Sequence, residues 1–336
     1  MSIRVGINGF GRIGRTALRV ALAKKTEIEV VAINDIFSVE SLAHLFRYDS
    51  IFGRYPGEVS SDNENLIIDG KKVRVLTEKA PEKISWSSLG VNVVVESTGL
   101  FTSRKSAAKH LSGSVRRVVI SAPAKDADIT IVLGVNENQY DPERHQVISN
   151  ASCTTNCLAP VTKVLLESFG VRNGLMTTIH SYTNDQRILD LPHKDPRRAR
   201  AGALSMIPTT TGAAEAVGLV LPQLKGKLTG ISVRVPTPDV SLVDFTALLE
   251  RDATVAEVNA AYKKASQGDL KGILGYSEDP VVSVDFLKDS RSAIVDAPFT
   301  MLVDHRTVKV LAWYDNEWAY SSRLVELCEY VGSRAG

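Results

Sequence analysis

Two spacings of apolar residues alternate along the first half of this chain. Ile3, Val5 and Ile7 recur at the period of a strand. After Gly9-Phe10-Gly11-Arg12-Ile13-Gly14 the apolar positions Ile13, Ala17, Val20 and Ala21 recur at the period of a helix. Short apolar runs at 28–33, 73–76, 91–96, 116–121, 129–134 and 146–149 read as further strands. Several are unbroken Val/Ile runs, the pattern of strands covered on both faces. Helical spacing at 38–47 and 103–111 separates some of them, and 55–76 reads as a hairpin excursion. The pattern predicts an α/β unit with a doubly wound, mostly parallel sheet and a local antiparallel addition.

The second half is patterned differently. A helix runs from Cys153 to about residue 169, with Pro160 removing a donor in its early turns. A strand follows at 175–182. The stretch 184–203 then has no apolar period and sets Arg187, Lys194, Arg197, Arg198 and Arg200 against Asp185, Asp190 and Asp195. A loop of that length is usually functional or buried at an interface. Thr209-Thr210-Thr211-Gly212 opens a helix to about 221, and 230–235 is strand-like. Thr254-Val255-Ala256-Glu257 is a capping box before a helix at 255–266, whose apolar face is Val255, Val258, Tyr262 and Ala265. Runs at 241–249, 281–286, 292–303 and 307–315 read as strands with few helices between them, which predicts an α+β unit with a large antiparallel or mixed sheet. A last amphipathic helix at 317–333, with Leu324, Leu327 and Val331 on one side, is expected to pack on the first domain. The expected division is 1–152, joined by 317–336, and 153–316.

Composition narrows this picture. At 336 residues two domains are expected. A net charge of +2 gives no electrostatic case for nucleic acid or an anionic membrane as partner. Three cysteines make no disulfide framework and point to a reducing compartment, with the cytoplasm as the default. A strand begins almost at once, without the apolar run of a leader, and no segment approaches ~18 uninterrupted apolar residues.

The candidate chemistry has two centres. Strand, G-x-G-x-x-G and helix form the dinucleotide-binding fingerprint, in which the glycines let a pyrophosphate approach a helix N-terminus. Asp35, 21 residues beyond Gly14, ends the next strand, where a carboxylate can accept from a ribose diol and repel a 2′-phosphate. Such a glycine turn can also be merely flexible, and such an aspartate merely a cap. The second centre is Cys153, at a strand-to-helix junction where free N–H groups favour a thiolate. A buried cysteine is more often a core residue, and His180, at the end of the next strand, is by itself as readily a core histidine. Cys157 shares the helix face of Cys153, but no further Cys/His pair completes a zinc site, so no metal is expected. Arg198 and Arg234, with Thr183, Thr211 and Ser152, suit a phosphate. They equally suit solvent or a subunit contact.

Five stretches go further: Asn8-Gly9-Phe10-Gly11-Arg12-Ile13-Gly14-Arg15, Ser149-Asn150-Ala151-Ser152-Cys153-Thr154-Thr155-Asn156-Cys157, His180-Ser181-Tyr182-Thr183, Arg197-Arg198-Ala199-Arg200-Ala201 and Trp313-Tyr314-Asp315-Asn316-Glu317-Trp318. They closely resemble the phosphorylating glyceraldehyde-3-phosphate dehydrogenase family, end to end. The resemblance implies a Rossmann-type NAD-binding domain and a catalytic domain in a homotetramer. It implies that Cys153 attacks the aldehyde of glyceraldehyde 3-phosphate, that His180 serves as base and acid, and that inorganic phosphate releases the thioester as 1,3-bisphosphoglycerate. By the same resemblance Thr183, Arg234 and Arg198 fall at the substrate's phosphate, and Ser152, Thr154, Thr211 and Gly212 at the attacking phosphate. Gly9, Gly11, Arg12, Ile13, Asp35, Lys79, Ser121 and Asn316 fall at the cofactor. The loop from about 182 to 203 resembles the family's S-shaped loop beside a neighbouring subunit's NAD. Leu191-Pro192 resembles the NAD-preferring form. Lys79-Ala80-Pro81 stands where Arg-Asp-Pro is common, Asp239 replaces a frequent Asn, and Ala319 a frequent Gly. The rival readings are an erythrose-4-phosphate dehydrogenase on the same scaffold and a non-catalytic NAD-binding protein.

Overall fold

Strand β1 (Ile3–Asn8) ends at the glycine turn, and α1 (Arg12–Ala23) returns antiparallel to it before β2 (Ile28–Asn34) and α2 (Val39–Arg47). This is a computed structural model, which describes residues 2–24 and 26–334. The hairpin excursion is β3 (Val59–Ser61), β4 (Asn65–Ile68) and β5 (Lys71–Leu76). Then come β6 (Val93–Glu96), α3 (Arg104–Ala107), β7 (Arg117–Ile120), β8 (Ile129–Thr130) and β9 (Val147–Ser149). Together they make a nine-stranded sheet in the order β3-β4-β5-β2-β1-β6-β7-β9-β8, parallel except for the β3-β4-β5 edge. The winding reverses between β2 and β6 on either side of β1, the crevice position at which such sheets bind ligands. The central strands β6, β7 and β9 are buried at every position. Covering each Val or Ile there contributes about 1.5–3 kcal/mol, which is why unbroken apolar runs form these strands.

The second sheet starts after α4 (Cys153–Phe169), a helix buried along most of its length. Its elements are β10 (Val171–Ser181), β11 (Ile207–Thr210), α5 (Ala213–Val220), β12 (Leu228–Val235), β13 (Ser241–Leu249), α6 (Val255–Gln267), β14 (Leu274–Ser277), β15 (Ala293–Asp296), β16 (Met301–Val303) and β17 (Thr307–Tyr314). The order is β11-β12-β10-β13-β17-β15-β14, with β16 on β17. The sheet is mixed: β10 with β12 and β14 with β15 are parallel, and the other pairs antiparallel. Strict alternation of burial in β13 and β17 gives the sheet one covered face, and α4 packs against β13, β15 and β17.

The contacts divide the chain into two units: Met1–Ile131 with Asn138–Ala151 and Ser321–Gly336, and Val132–Glu137 with Ser152–Tyr320. The last helix, α7 (Trp318–Gly332), buries Leu324, Leu327 and Val331 completely. Leu324, Val325 and Cys328 close over Val5, Ile7, Ala17, Ile28, Val30 and Val95 of the first unit, and Lys24 Nζ bonds Glu326 at 2.7 Å.

Several expected elements are shorter or absent. The strand expected at 129–134 stops at Thr130, because Asn136 Oδ1 accepts from Val132 N and folds the next residues into a turn. The run 281–286 is a turn and a 3-10 helix (Ser283–Phe286), with Val282 and Val284 exposed and Asp285 closing the turn onto Val282 N. The run 292–303 breaks at the 3-10 turn Ala297–Phe299, where Pro298 supplies no N–H to a ladder. In α6 the buried face is Val258 and Tyr262, and Val255 in the first turn is exposed. Conversely, Pro160 does not interrupt α4. An interior proline costs about 3 kcal/mol, a penalty offset by the burial of nearly the whole helix.

Candidate active site

In the first unit, Gly9 has φ +90 and a Cβ there would lie 2.7 Å from Thr98 N, so only glycine fits. Gly11 is the N-cap of α1 without any side-chain cap, and a Cβ on it would meet nothing within 4 Å. The first N–H groups of α1 therefore face an open cradle suited to a pyrophosphate. Ile13 is half-buried just inside the helix, and Arg12 Nη1 bonds Asp49 Oδ2 at 2.6 Å. Asp35 Oδ2 accepts from Phe10 N at 2.7 Å, which ties the end of β2 to the glycine turn, and the residue stays half-exposed. Ser121 follows β7 and is held by its N–H to Glu96 O at 2.9 Å, while Lys79 is exposed, its N–H on Glu78 Oε1. At the end of β6, Asn8 and His110 meet the buried Glu96, and Trp86 holds His110 from its other side. Trp86 Nε1 donates to His110 Nδ1, so His110 Nε2 carries the proton it gives to Glu96 at 3.0 Å.

The second centre is the start of α4. Ala151 enters it at φ +54, a conformation costing an L residue roughly 1–2 kcal/mol, held by its N–H to Ser149 Oγ. Ser152 is the N-cap, its Oγ accepting from Thr155 N at 3.0 Å. That places Cys153 at the first helical position, half-buried, with Sγ 3.4 Å from His180 Nε2. Cys157, a turn later, is buried with its thiol toward Ala312 O at 3.8 Å. It is a packing residue.

His180 is buried near the end of β10, and the parallel register sets it directly beside Arg234 of β12. Its Nδ1 lies 2.7 Å from Ser181 O and 2.7 Å from Arg234 Nη1. Nδ1 can donate to the first or accept from the second, but not both at once. Donation to Ser181 O leaves a lone pair on Nε2 facing the thiol. Burial, then the Arg234 charge, push the His180 pKa down to about 3. Burial pushes the Cys153 thiol up, only partly offset by Arg234 and by the amides of the helix start. The helix start does not, therefore, lower the thiol pKa as its position suggested. Desolvation exceeds the helix field, and an imidazolium that would pair with a thiolate is suppressed by burial first and the guanidinium second.

Of the expected phosphate residues, Thr183 and Arg198 lie in the loop after β10, Thr211 and Gly212 just before α5, and Thr154 in the first turn of α4. Thr183 bonds Gln186 Oε1 through its N–H, and Arg198 is bound to Asp185 at 2.6 Å and to Thr209 Oγ1 at 2.8 Å. Thr211 Oγ1 accepts from Ala213 N, and Gly212 is the N-cap of α5, uncapped by any side chain. Thr154 Oγ1 is 2.9 Å from Tyr314 Oη, which also meets Thr178 Oγ1 at 2.8 Å. Asn316 is buried, its Oδ1 accepting from Ser241 Oγ at 2.6 Å. Sequence reasoning assigns no role to Tyr314, edge-on to His180 at 6.0 Å, or to Ser181 and Ser241. The aromatic run around Tyr314 was visible in the chain, but only the pairing of β13 with β17 reveals what it faces.

Fold and site define a class: a nucleotide-dependent oxidoreductase whose second unit carries a thiol–imidazole pair. Residues 3–104 match the model of the glyceraldehyde 3-phosphate dehydrogenase NAD binding domain, and residues 152–316 that of the C-terminal domain. A glyceraldehyde-3-phosphate dehydrogenase of Geobacillus stearothermophilus is 60% identical over 334 residues, covering 99% of both chains. One of Bacillus cereus is 59% identical over 331 residues, 98% of this chain and 99% of the relative. One of Streptomyces coelicolor is 58% identical over 335 residues, 99% of this chain and all of the relative. The chain belongs to the glyceraldehyde-3-phosphate dehydrogenase family.

Proposed function

We propose that this protein oxidises glyceraldehyde 3-phosphate to 1,3-bisphosphoglycerate, taking up inorganic phosphate and reducing NAD⁺ to NADH. The observation that carries this reading is the 3.4 Å contact of Cys153 with His180 at a helix start, with Arg234 in register beside the histidine. Cys153 is read as the nucleophile and His180 as the proton carrier. Sγ adds to the aldehyde carbon while its proton passes to Nε2 and on to the new oxygen, giving a thiohemiacetal and a neutral imidazole again. NAD⁺, when bound, accepts the hydride that this carbon loses. His180 takes the hydroxyl proton as the thioester forms, and it returns that proton to sulfur when phosphate oxygen displaces Cys153.

Arg234 and Thr183, with Arg198, are read as holding the substrate's phosphate. A dianion against Arg234 offsets the second of the two causes that depress His180, after burial, and so eases protonation of the imidazole. Ser152, Thr154, Thr211 and Gly212 are read as the second anion site, supported by two helix starts. Gly9, Gly11, Arg12, Ile13, Asp35, Lys79, Ser121 and Asn316 are read as cofactor residues. The uncapped start of α1 and the side-chain-free Gly9 fit a pyrophosphate, and Asp35 fits a ribose diol rather than a 2′-phosphate. The first unit is thus read as the cofactor domain and the second as the catalytic domain. We further infer a homotetramer, supported by the exposed apolar side chains Ile188, Leu189, Leu191, Leu204 and Met206 along the long loop, and a cytoplasmic location, supported by the three unpaired cysteines.

The test is NADH formation from glyceraldehyde 3-phosphate with NAD⁺ or NADP⁺, with phosphate, with arsenate, and with neither. Turnover is expected with NAD⁺ and either oxyanion. Phosphate-independent turnover that prefers erythrose 4-phosphate would overturn the reading.

A further inference from the structure

Asp239 lies two residues before β13 and is only 4% exposed, yet neither of its carboxylate oxygens has a hydrogen-bond partner among the described residues. Its neighbour is Asp315, fully buried after β17. Asp315 is furnished as an anion: Oδ1 accepts from Glu317 N at 3.0 Å and Trp318 N at 2.6 Å, and Oδ2 accepts from Lys288 N at 2.9 Å. An ionised Asp239 would be a second buried negative charge, offset only in part by the Val240 amide. A protonated Asp239 has an O–H to give, and Asp315 has a lone pair to receive it. One proton satisfies both side chains.

The turn between these carboxyls and the site is under tension. Val240 stands at φ +65, a rare conformation for a β-branched residue, and its side chain is packed with Phe286 and Ile294. Its carbonyl accepts from Ser181 Oγ at 2.8 Å, next to His180. The following residue, Ser241, takes Ser181 N at 3.1 Å on its hydroxyl oxygen and donates to Asn316 Oδ1 at 2.6 Å. Ser241 pairs with Tyr314 in the ladder, so the strained turn runs beside the segment that carries Asp315 and Asn316.

We propose that Asp239 and Asp315 share a single proton, and that this proton clamps the Val240–Ser241 turn and thereby positions Asn316. Asp239 and Asp315 are positioning residues, acting through Ser241. The kinetic consequence rests on the reading of Asn316 as a cofactor residue. Burial, then Asp315, then Glu317 raise the Asp239 pKa well above the usual carboxylate range, with the Val240 amide opposing only in part. The ammonium of Lys288 lies over the Trp318 ring, and its amide serves Asp315. The proton belongs to the pair rather than to either residue.

The sign of the pH effect follows. The unfolded chain releases an aspartate proton near pH ~4, while the folded chain keeps this one. Stability therefore declines as pH rises above that point, and the decline stops only when the shared proton leaves, well above the usual carboxylate range. Asp239→Asn keeps a donor toward Asp315 and cannot ionise.

Difference infrared spectroscopy on the full-length protein is expected to show a protonated-carboxyl C=O band at neutral pH that titrates away in alkali and is missing in Asp239→Asn. The KM for NAD⁺ is expected to rise severalfold as the band is lost in the unsubstituted protein, and to stay flat in Asp239→Asn. Absence of the band at neutral pH overturns the shared proton. A band lost without any change in KM overturns the positioning role. Asn316→Ala tests the underlying reading separately: cofactor affinity unchanged in that variant removes Asn316 from the cofactor site and leaves the infrared result intact.

Discussion

His180 shows how one ring nitrogen can set the state of a site. With the ring buried and Arg234 against Nδ1, its pKa falls to about 3, so thiol and imidazole face each other uncharged. The linkage is direct. An unfolded chain takes up a histidine proton as pH falls through ~6.5, and the folded one resists until about 3, so His180 removes stability across that window as acid is added. His180→Asn is expected to flatten acid destabilisation between these limits, measured by urea unfolding, while slowing turnover by about 10²–10⁴-fold. A variant as acid-labile as the parent would contradict the depressed pKa. The sequence already singled out Cys153 by its helix start and His180 by its place at the end of a strand. The proximity of Arg234 was invisible, because 54 residues separate it from His180 and only strand register brings them together.

At the scale of elements, the start of α4 is the part on which the site most depends. Ser152 caps it, Ala151 enters it from a left-handed conformation, and nearly all of its length is buried. Ser152→Ala is expected to cost about 1 kcal/mol of stability by denaturant titration, the usual loss for a capping hydroxyl. It is also expected to lower kcat/KM, since the frayed first turn carries Cys153. A stability loss with kcat/KM untouched would show that the cap holds the helix but not the nucleophile. Elements with strong local signals were legible: the glycine turn, the capping box at Thr254 and the alternating strands β13 and β17. Those that failed were apolar runs such as 281–286, where a local side-chain bond from Asp285 outcompeted a strand ladder.

For the molecule as a whole, the long loop after β10 carries apolar side chains that its own unit leaves uncovered. Ile188 is 86% and Leu204 81% exposed. A surface of that kind is a standing driving force for association. Sedimentation is expected to give the mass of a homotetramer, and Ile188→Asp to shift it toward smaller species. A monomer at assay concentration would refute the assembly.

The order of strand and helix, the nucleotide-binding start, the candidate cysteine and the family resemblance could all be read from the sequence alone, because each rests on neighbours a few residues apart. Tertiary structure decided what stands next to what across the mixed sheet. It placed Arg234 against His180, Tyr314 between Thr154 and Thr178, and Asp239 beside Asp315. The charge state of the site followed from that arrangement. Protonation depends on burial and on charges a few ångströms away in space, and neither is a property of sequence distance.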